Sequence, residues 1–488
     1  MRYADARRRA MIRIADKTEL KTGILFFTKK TAVELYNGKG GIFQGEYLQA
    51  FPCMHLEGRQ ECCVGIGETG LTKRMLMEVA ACGVAFWREN KVEEIYVDLT
   101  GLADELTEEN FPYFVQGLCL GNYEPPAFRK KNKKSVDITL IGTQMPETLL
   151  IQGIHMAEGV AFARDMGNYP GNLLRPKEFA TAIRNQIKNL EIEIEFLEEP
   201  QLEALKMGGL LTVGSSSAFP PCMVILRYTG EPAQHKKGRL GLIGKGVTCD
   251  TGGYCMKSSD SMVGIRGDMA GGAAVVGCIY ALAKNQVPVN VTGIIPICEN
   301  RISPDSYLPG DVITMYDKTR VEICNTDAEG RLILADAVAY AIKNEGVQQV
   351  VDIATLTGAV VNMFGFSIGG ILCDNEQLYH IFQRAAKQSG EQYARIPYYK
   401  EHEDMLSSNV ADLKNLGPDY CGTITAGLFI RRFMKGRPWL HMDIAGTAWI
   451  DVPLWKFQSR GATGAGVSTL YELCKIKAIK SKKNSQSV

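Results

Sequence analysis

The stretch LIGKGVTCDTGGYCMK, residues 242–257, sets Asp250 in a Thr-Gly-Gly turn, with Lys245 before it, Lys257 after it, and Cys249 and Cys255 alongside. Several chemistries use residues of these types. A phosphate loop needs a hydroxyl residue directly after its lysine to hold magnesium, and here Gly246 follows Lys245. An aspartic protease needs two carboxylates sharing one proton, and this long chain has a single Asp-Thr-Gly triplet. Structural zinc wants four soft or imidazole ligands, whereas these cysteines lack paired spacing and read as small buried residues beside a turn. A Ser/His nucleophile finds little support, because the six histidines (His55, His155, His235, His380, His402, His441) are scattered along the chain and no Gly-x-Ser-x-Gly elbow is expected.

What remains is a carboxylate metal site. GIRGDMAGG carries Asp268, and ICNTDAEGRLILADA carries Asp327 and Glu329. Asp268 alone is explained as a charge at a helix N-terminus. Asp327, Glu329 and Arg331 stand at period two, so an extended segment would project all three to one side just before a helix begins. That helix start, with Arg331, would also suit a small anion. Four carboxylates in one cleft repel, so either one stays protonated or divalent metal neutralises them. Two metal ions would balance the four, and an oxygen set with one nitrogen suits zinc or manganese. Magnesium fits less well if Lys245 supplies that nitrogen.

The elements that must position these residues follow from the apolar pattern. Short runs (RLGLIG, VNVTGIIPI, QQVVDIATLT, WLHMDIAG) alternate with helical stretches (AGGAAVVGCIYALAKN, RLILADAVAYAIKN), the pattern of a mostly parallel sheet flanked by helices. Ligands of such sheets sit off the carboxyl ends of the strands. Lys245, Thr355 and the DIAG segment all fall where a strand would end. Upstream, PETLLIQGIHMAEGVAFARDMGN has apolar residues at three-to-four spacing and is stopped by NYPGNLLRP, which predicts a helix. The chain is therefore read as α/β: a small N-terminal α/β domain (1–147), a connector helix (148–168) and a larger C-terminal catalytic domain (169–488). PPAFRKKNKKS reads as a solvated loop, and KIKAIKSKKNSQSV as a frayed tail.

At 488 residues the chain exceeds one typical core. With 45% hydrophobic residues, 22% charged residues and a formal charge of +1 it has no global field for nucleic acid or a membrane surface. The N-terminal MRYADARRRAMIRIADKTEL lacks an apolar core segment, and no uninterrupted apolar run approaches the roughly 18 residues of a membrane span. Fourteen cysteines without a signal peptide read as reduced core residues, so the expected location is cytoplasmic.

NTDAEGRLILADA resembles the signature of the leucyl aminopeptidase (cytosol aminopeptidase) family, and GKGVTCDTGGYCMK is similar to that family's first metal segment. The resemblance extends in order through ARDMGNYPGNLLRP, CENRISPDSYLPGDVIT, DIATLTGA, HMDIAGTAW and GATGAGV, covering most of residues 150 to 470. The N-terminal third matches weakly. Cys249 and Thr251 replace the family's usual Phe and Ser.

The resemblance implies an aminopeptidase using two divalent ions, manganese or zinc, on peptides with a free N-terminus. It makes Asp250 and Glu329 bridging ligands, with Asp327 completing one metal site and Lys245 and Asp268 the other. Lys257 becomes the electrophile that stabilises the oxyanion left when a metal-activated water attacks. Arg331 holds a bicarbonate that serves as base. The side-chain pocket maps onto Ile265, Thr355, Gly358, Ala445 and Ala448, which favours leucine-like first residues, and Asn325 is expected to touch the substrate backbone. Lys245 must be neutral to ligate, whereas Lys257 stays charged. A homohexamer of two stacked trimers is implied, with no membrane or nucleic-acid partner. Two other readings are a DNA-binding regulator on the same fold and a Cys-Gly dipeptidase. The near-zero charge and the complete set of ligand and catalytic residues weigh against the first, and the second changes the substrate but not the mechanism. Cys249 places a thiol beside the acidic residues and is expected to make the site sensitive to oxidation.

Overall fold

The computed structural model describes residues 11–35, 42–55, 57–126, 128, 135–232, 239–262 and 264–485. The basic stretch 129–134, residues 1–10 and the last three residues of the tail lie outside that set. The chain divides into two compact units: Met1–Glu158 with Val452–Arg460, and Gly159–Asp451 with Gly461–Val488. The division falls inside the Glu147–Asn168 helix, and no local sequence pattern marks 452–460 as part of the first unit.

In the first unit six strands form one sheet: β1 (Ile12–Ile14), β2 (Thr22–Thr28), β3 (Ala50–Met54), β4 (Gln60–Gly67), β5 (Glu94–Asp98) and β6 (Asp137–Ile141). Their order is β1-β6-β5-β2-β4-β3, parallel throughout except for β3 on β4. Pro52 lies on β3, the antiparallel edge strand, where a missing N–H is tolerated. The Lys73–Glu89 helix starts at Thr72, whose hydroxyl accepts the Met75 N–H at 3.3 Å. Its Leu76, Val79, Ala80 and Val84 pack with Phe114, Val115 and Leu118 of the Phe111–Gly121 helix.

The second unit is built on β7 (Ile192–Leu197), β8 (Cys222–Thr229), β9 (Leu240–Gly244), β10 (Gly246–Asp250), β11 (Asn290–Asn300), β12 (Val312–Thr314), β13 (Arg320–Glu322), β14 (Gln349–Ala354), β15 (Gly369–Cys373), β16 (Tyr393–Arg395), β17 (Leu413–Lys414) and β18 (Trp439–Asp443). The large sheet runs β16-β15-β18-β14-β9-β11-β8-β7, with β10 also paired to β11. Its centre, β18-β14-β9-β11, is parallel. Every residue of β9, β11 and β18 is buried, which explains their largely apolar runs; Glu299, Asn300, His441 and Asp443 are among the buried polar exceptions. The helices Ala270–Lys284 and Glu329–Lys343 pack against β9, β11 and β14. Leu332 and Ile333 share a core cluster with Ile225, Ile243 and Ile294, each such side chain contributing about 1.5–3 kcal/mol of burial.

Two expectations change. The tail KIKAIKSKKNS is not frayed: it continues the Val467–Ser485 helix, because Val467, Leu470, Tyr471 and Cys474 form a buried stripe at helical spacing. The stretch Ile265–Lys284 is long and apolar enough to cross a membrane by length and composition. However, most of it is buried inside the protein, as in a core helix.

Candidate metal centre

The site opens where the central sheet splits. β9 ends at Gly244, and the chain runs on through Lys245 into β10. Both segments stay paired to β11, but the contact with β14 ends at Lys245, whose N–H reaches the Ile353 carbonyl at 3.1 Å. Lys245 therefore stands at the carboxyl end of the sheet between diverging strands. Thr355 follows the end of β14 and Ala445 follows the end of β18, as the apolar runs suggested.

Lys245 is buried, with Nζ 2.8 Å from Asp268 Oδ1, 2.8 Å from Glu329 Oε1 and 3.1 Å from the Thr355 carbonyl. Asp268 closes a short turn before the Ala270–Lys284 helix. It is more than a helix-end charge: Oδ1 also accepts the Thr355 hydroxyl at 2.8 Å, and Oδ2 is buried without a hydrogen-bond partner. Glu329 begins its helix, and Gly330 is what lets that helix approach. A Cβ at Gly330 would fall 2.7 Å from Lys245 Cε, and Lys245, pinned between carboxylates, has little room to move away.

A second lysine faces the other side of the cluster. Lys257 Nζ lies 2.7 Å from Asp250 Oδ2 and also pairs with Asp327 Oδ1. The loop between Asp250 and Lys257 needs its glycines: Gly252 has φ +85°, and a Cβ there would meet the Cys255 carbonyl at 2.7 Å. Thr326 ties this loop to the next segment, donating to the Gly252 carbonyl at 2.6 Å and accepting the Cys255 N–H at 2.8 Å. Asn325 Oδ1 accepts the Asp327 N–H at 2.7 Å.

The structure thus gathers Lys245, Asp250, Lys257, Asp268, Asp327 and Glu329, with oxygens of Asp250, Asp327 and Glu329 all within 4.8 Å of one another. Electrostatics reflect the crowding. Burial, opposed by Lys245 but reinforced by Asp250 and Glu329, raises the Asp268 pKa to about 8. Burial together with Asp250 and Glu329 raises Asp327 to about 6. Both lysines lie above the ordinary lysine value, because the carboxylates outweigh the burial that would lower them. Four carboxylates against two ammonium groups leave an anionic pocket of oxygen donors plus Lys245, a donor set that fits divalent cations of the zinc and manganese type.

Arg331 does not project with Asp327 and Glu329 from an extended segment. The helix has already begun at Glu329, so Glu329 and Arg331 diverge by about 200° around its axis. Arg331 is buried instead: Nη1 donates to the Asn415 carbonyl at 2.9 Å and Nε has no hydrogen-bond partner. Burial lowers its pKa to about 10. Burial pushes the Cys249 thiol up to about 11, which weighs against the expected sensitivity to oxidation.

Of the expected pocket residues, Thr355 touches the acidic cluster directly. Ala445 is joined to the Thr355 loop through Asp443, whose Oδ1 lies 3.2 Å from both the Leu356 and Ala445 nitrogens. Ile265 is half-buried, Gly358 exposed and Ala448 buried. A Gly-x-Ser-x-Gly run does occur, at Gly365 to Gly369, but it leads from the Gly358–Phe364 helix into β15, the reverse of the strand-to-helix turn that exposes a nucleophile. Sequence reasoning missed Asn300, which contacts Asp250, and the buried pair Asp352–His441, 2.5 Å apart on β14 and β18. Their partners come from neighbouring strands, which local spacing does not reveal.

Residues 161–471 match the catalytic domain of the cytosol aminopeptidase family. A probable cytosol aminopeptidase of Clostridium perfringens is 35% identical over 471 residues, spanning 92% of this chain and 95% of its own. Another, from Azoarcus, is 40% identical over 347 residues, spanning 70% and 68%. Among solved structures, a mutant of tomato leucine aminopeptidase superposes with a TM-score of 0.85 at 29% identity, covering 97% of each chain. The bottromycin maturation enzyme BotP in complex with Mn gives 0.83 at 29% identity, covering 96% of this chain and all of its own. A match across the catalytic domain, relatives aligned over most of the chain and a shared fold place this chain in the cytosol aminopeptidase family of metallo-exopeptidases.

Proposed function

We propose that the chain removes the N-terminal residue of peptides with a free amino terminus, preferring leucine-like first residues, through a two-metal site in residues 169–488. Asp250 and Glu329 would be shared by the two ions, Asp327 would complete one site, and Lys245 with Asp268 the other. Manganese or zinc bound there would polarise the scissile carbonyl, anchor the free amine and lower the pKa of water from 15.7 toward about 7.

The chain's own groups do the rest. Lys257, held charged by Asp250 and its neighbours, would donate to the oxyanion that develops at the carbonyl. Arg331, with its unpartnered Nε, is suited to hold bicarbonate as the proton acceptor. Lys245 would have to lose its proton to ligate, and only cations could outweigh the carboxylates that hold that proton. Ile265, Thr355, Gly358, Ala445 and Ala448 would line the side-chain pocket, with Asn325 on the substrate backbone. Assembly as a homohexamer in the cytoplasm belongs to the same proposal, with residues 1–147 as a separate domain and 148–168 as its connector.

The observation that carries the reading is the convergence of two lysines on one set of four carboxylates, of which Asp250 and Glu329 are buried. Chelation with EDTA should abolish hydrolysis of leucine p-nitroanilide, and manganese or zinc should restore it. Activity untouched by exhaustive chelation would refute the proposal.

A further inference from the structure

β10 and β11 end side by side, with Asp250 in register with Asn300. Asn300 is fully buried, and its amide nitrogen lies 2.9 Å from Asp250 Oδ1 and 2.9 Å from the Thr326 carbonyl. An ionised carboxylate and a carbonyl can only accept, so both amide hydrogens are committed and the orientation of the amide is determined. The backbone carbonyl of Asn300 accepts the Thr251 N–H at 2.9 Å and the Thr251 hydroxyl at 3.0 Å. Asn300 therefore grips Asp250, the residue after it and the residue preceding Asp327.

The two oxygens of Asp250 are left in different states. Oδ1 accepts from Asn300 and from the Gly252 N–H at 2.9 Å, while Oδ2 faces the cluster, 2.7 Å from Lys257 Nζ. The Thr326 carbonyl is likewise filled, because the Tyr307 hydroxyl donates to it at 2.8 Å. We infer that Asn300 is a positioning residue for the metal centre: it occupies Oδ1 so that Asp250 presents Oδ2 to a cation, and it holds the Asp250 and Asp327 segments at a set separation. It acts through Asp250 and does not touch substrate. The identity of the residue follows from this geometry. Aspartate would place an acceptor against two acceptors, and an aliphatic side chain would leave Oδ1 held by the Gly252 N–H alone, less restrained from competing with Oδ2. The inference rests on Asp250 being a metal ligand.

The test is a calorimetric Mn2+ titration of the EDTA-stripped parent and of Asn300→Ala and Asn300→Ser. It is paired with thermal midpoints in EDTA and with kcat and KM at saturating Mn2+. Partners that orient a ligand are typically worth about 10–100-fold in metal affinity. Asn300→Ala should weaken Mn2+ binding by that factor and lower kcat at saturating metal while KM stays nearly unchanged. Asn300→Ser, with one hydrogen to donate, should fall between, and it decides the matter alone if the alanine variant does not fold. A merely structural residue would lower the midpoint in EDTA yet leave Mn2+ affinity and kcat of the folded protein at parental values; that result overturns the inference. A parent that takes up no Mn2+ would overturn the metal reading of the whole cluster and this inference with it.

Discussion

Lys245 and Glu329 meet at 2.8 Å with side chains only 3% and 2% exposed, so the link between a strand end and a helix start is an ion pair almost wholly removed from water. Breaking such a pair leaves a buried charge uncompensated, at a cost of about 3–5 kcal/mol. Lys245→Met should therefore lower unfolding stability in EDTA by about that amount, read from urea denaturation, because Asp268 and Glu329 both lose their cation. A loss within 0.5 kcal/mol, roughly the level of an ordinary surface substitution, would mean that the carboxylates are compensated in another way.

Lys257 is more accessible, with a side chain 22% exposed, and is bound to Asp250 and Asp327 on one side of the cluster. If it donates to the developing oxyanion, Lys257→Ala should lower kcat by about 10²–10³ with little change in KM. Steady-state kinetics at saturating metal separates this from simple substrate binding, which would raise KM and leave kcat alone.

The Asp352–His441 pair supplies a pH dependence that is independent of the metal ligands. Burial pulls the His441 imidazolium down, but Asp352 at 2.5 Å, by charge and hydrogen bond, outweighs it, and Asp443 adds to the rise above the ordinary histidine value. A raised folded pKa means that the pair's stabilisation is complete below the unfolded value of about 6.5 and declines as pH rises through the folded one. The thermal midpoint of the parent should therefore fall more between pH 6 and pH 9 than that of His441→Gln. Parallel curves would show that His441 titrates alike in the folded and unfolded states, which contradicts a raised folded value.

The sheet and the ligand set were legible for different reasons. β9, β11 and β18 are buried on both faces, so their apolar runs stand out, and the chemistry lies just past the ends of β9, β14 and β18. Asp250, Asp327 and Glu329 were visible because carboxylates clustered near glycine turns have few bland explanations. Arg331 was harder, since period two mimics an extended segment and the helix start at Glu329 depends on Gly330 fitting against Lys245. Asn300 left no local trace: its partners Asp250 and Thr326 reach it only through the pairing of β10 with β11 and the turn that follows. His441, one of six scattered histidines, acquires its role from Asp352 on the adjacent strand. The helical tail was hidden because its charged residues outnumber its apolar stripe.

The central claim is that four clustered carboxylates, with two lysines, hold the metals of an enzyme that acts at a free amino terminus. The most direct measurement compares hydrolysis of one leucine-initiated peptide, free and N-acetylated, by the Mn2+-loaded parent and by Glu329→Gln. The account predicts release of free leucine from the unblocked peptide, at least about a hundredfold slower cleavage of the acetylated one, in line with loss of a charged binding contact, and no detectable turnover by Glu329→Gln. Equal rates on the two peptides, or parental activity in Glu329→Gln, would contradict it.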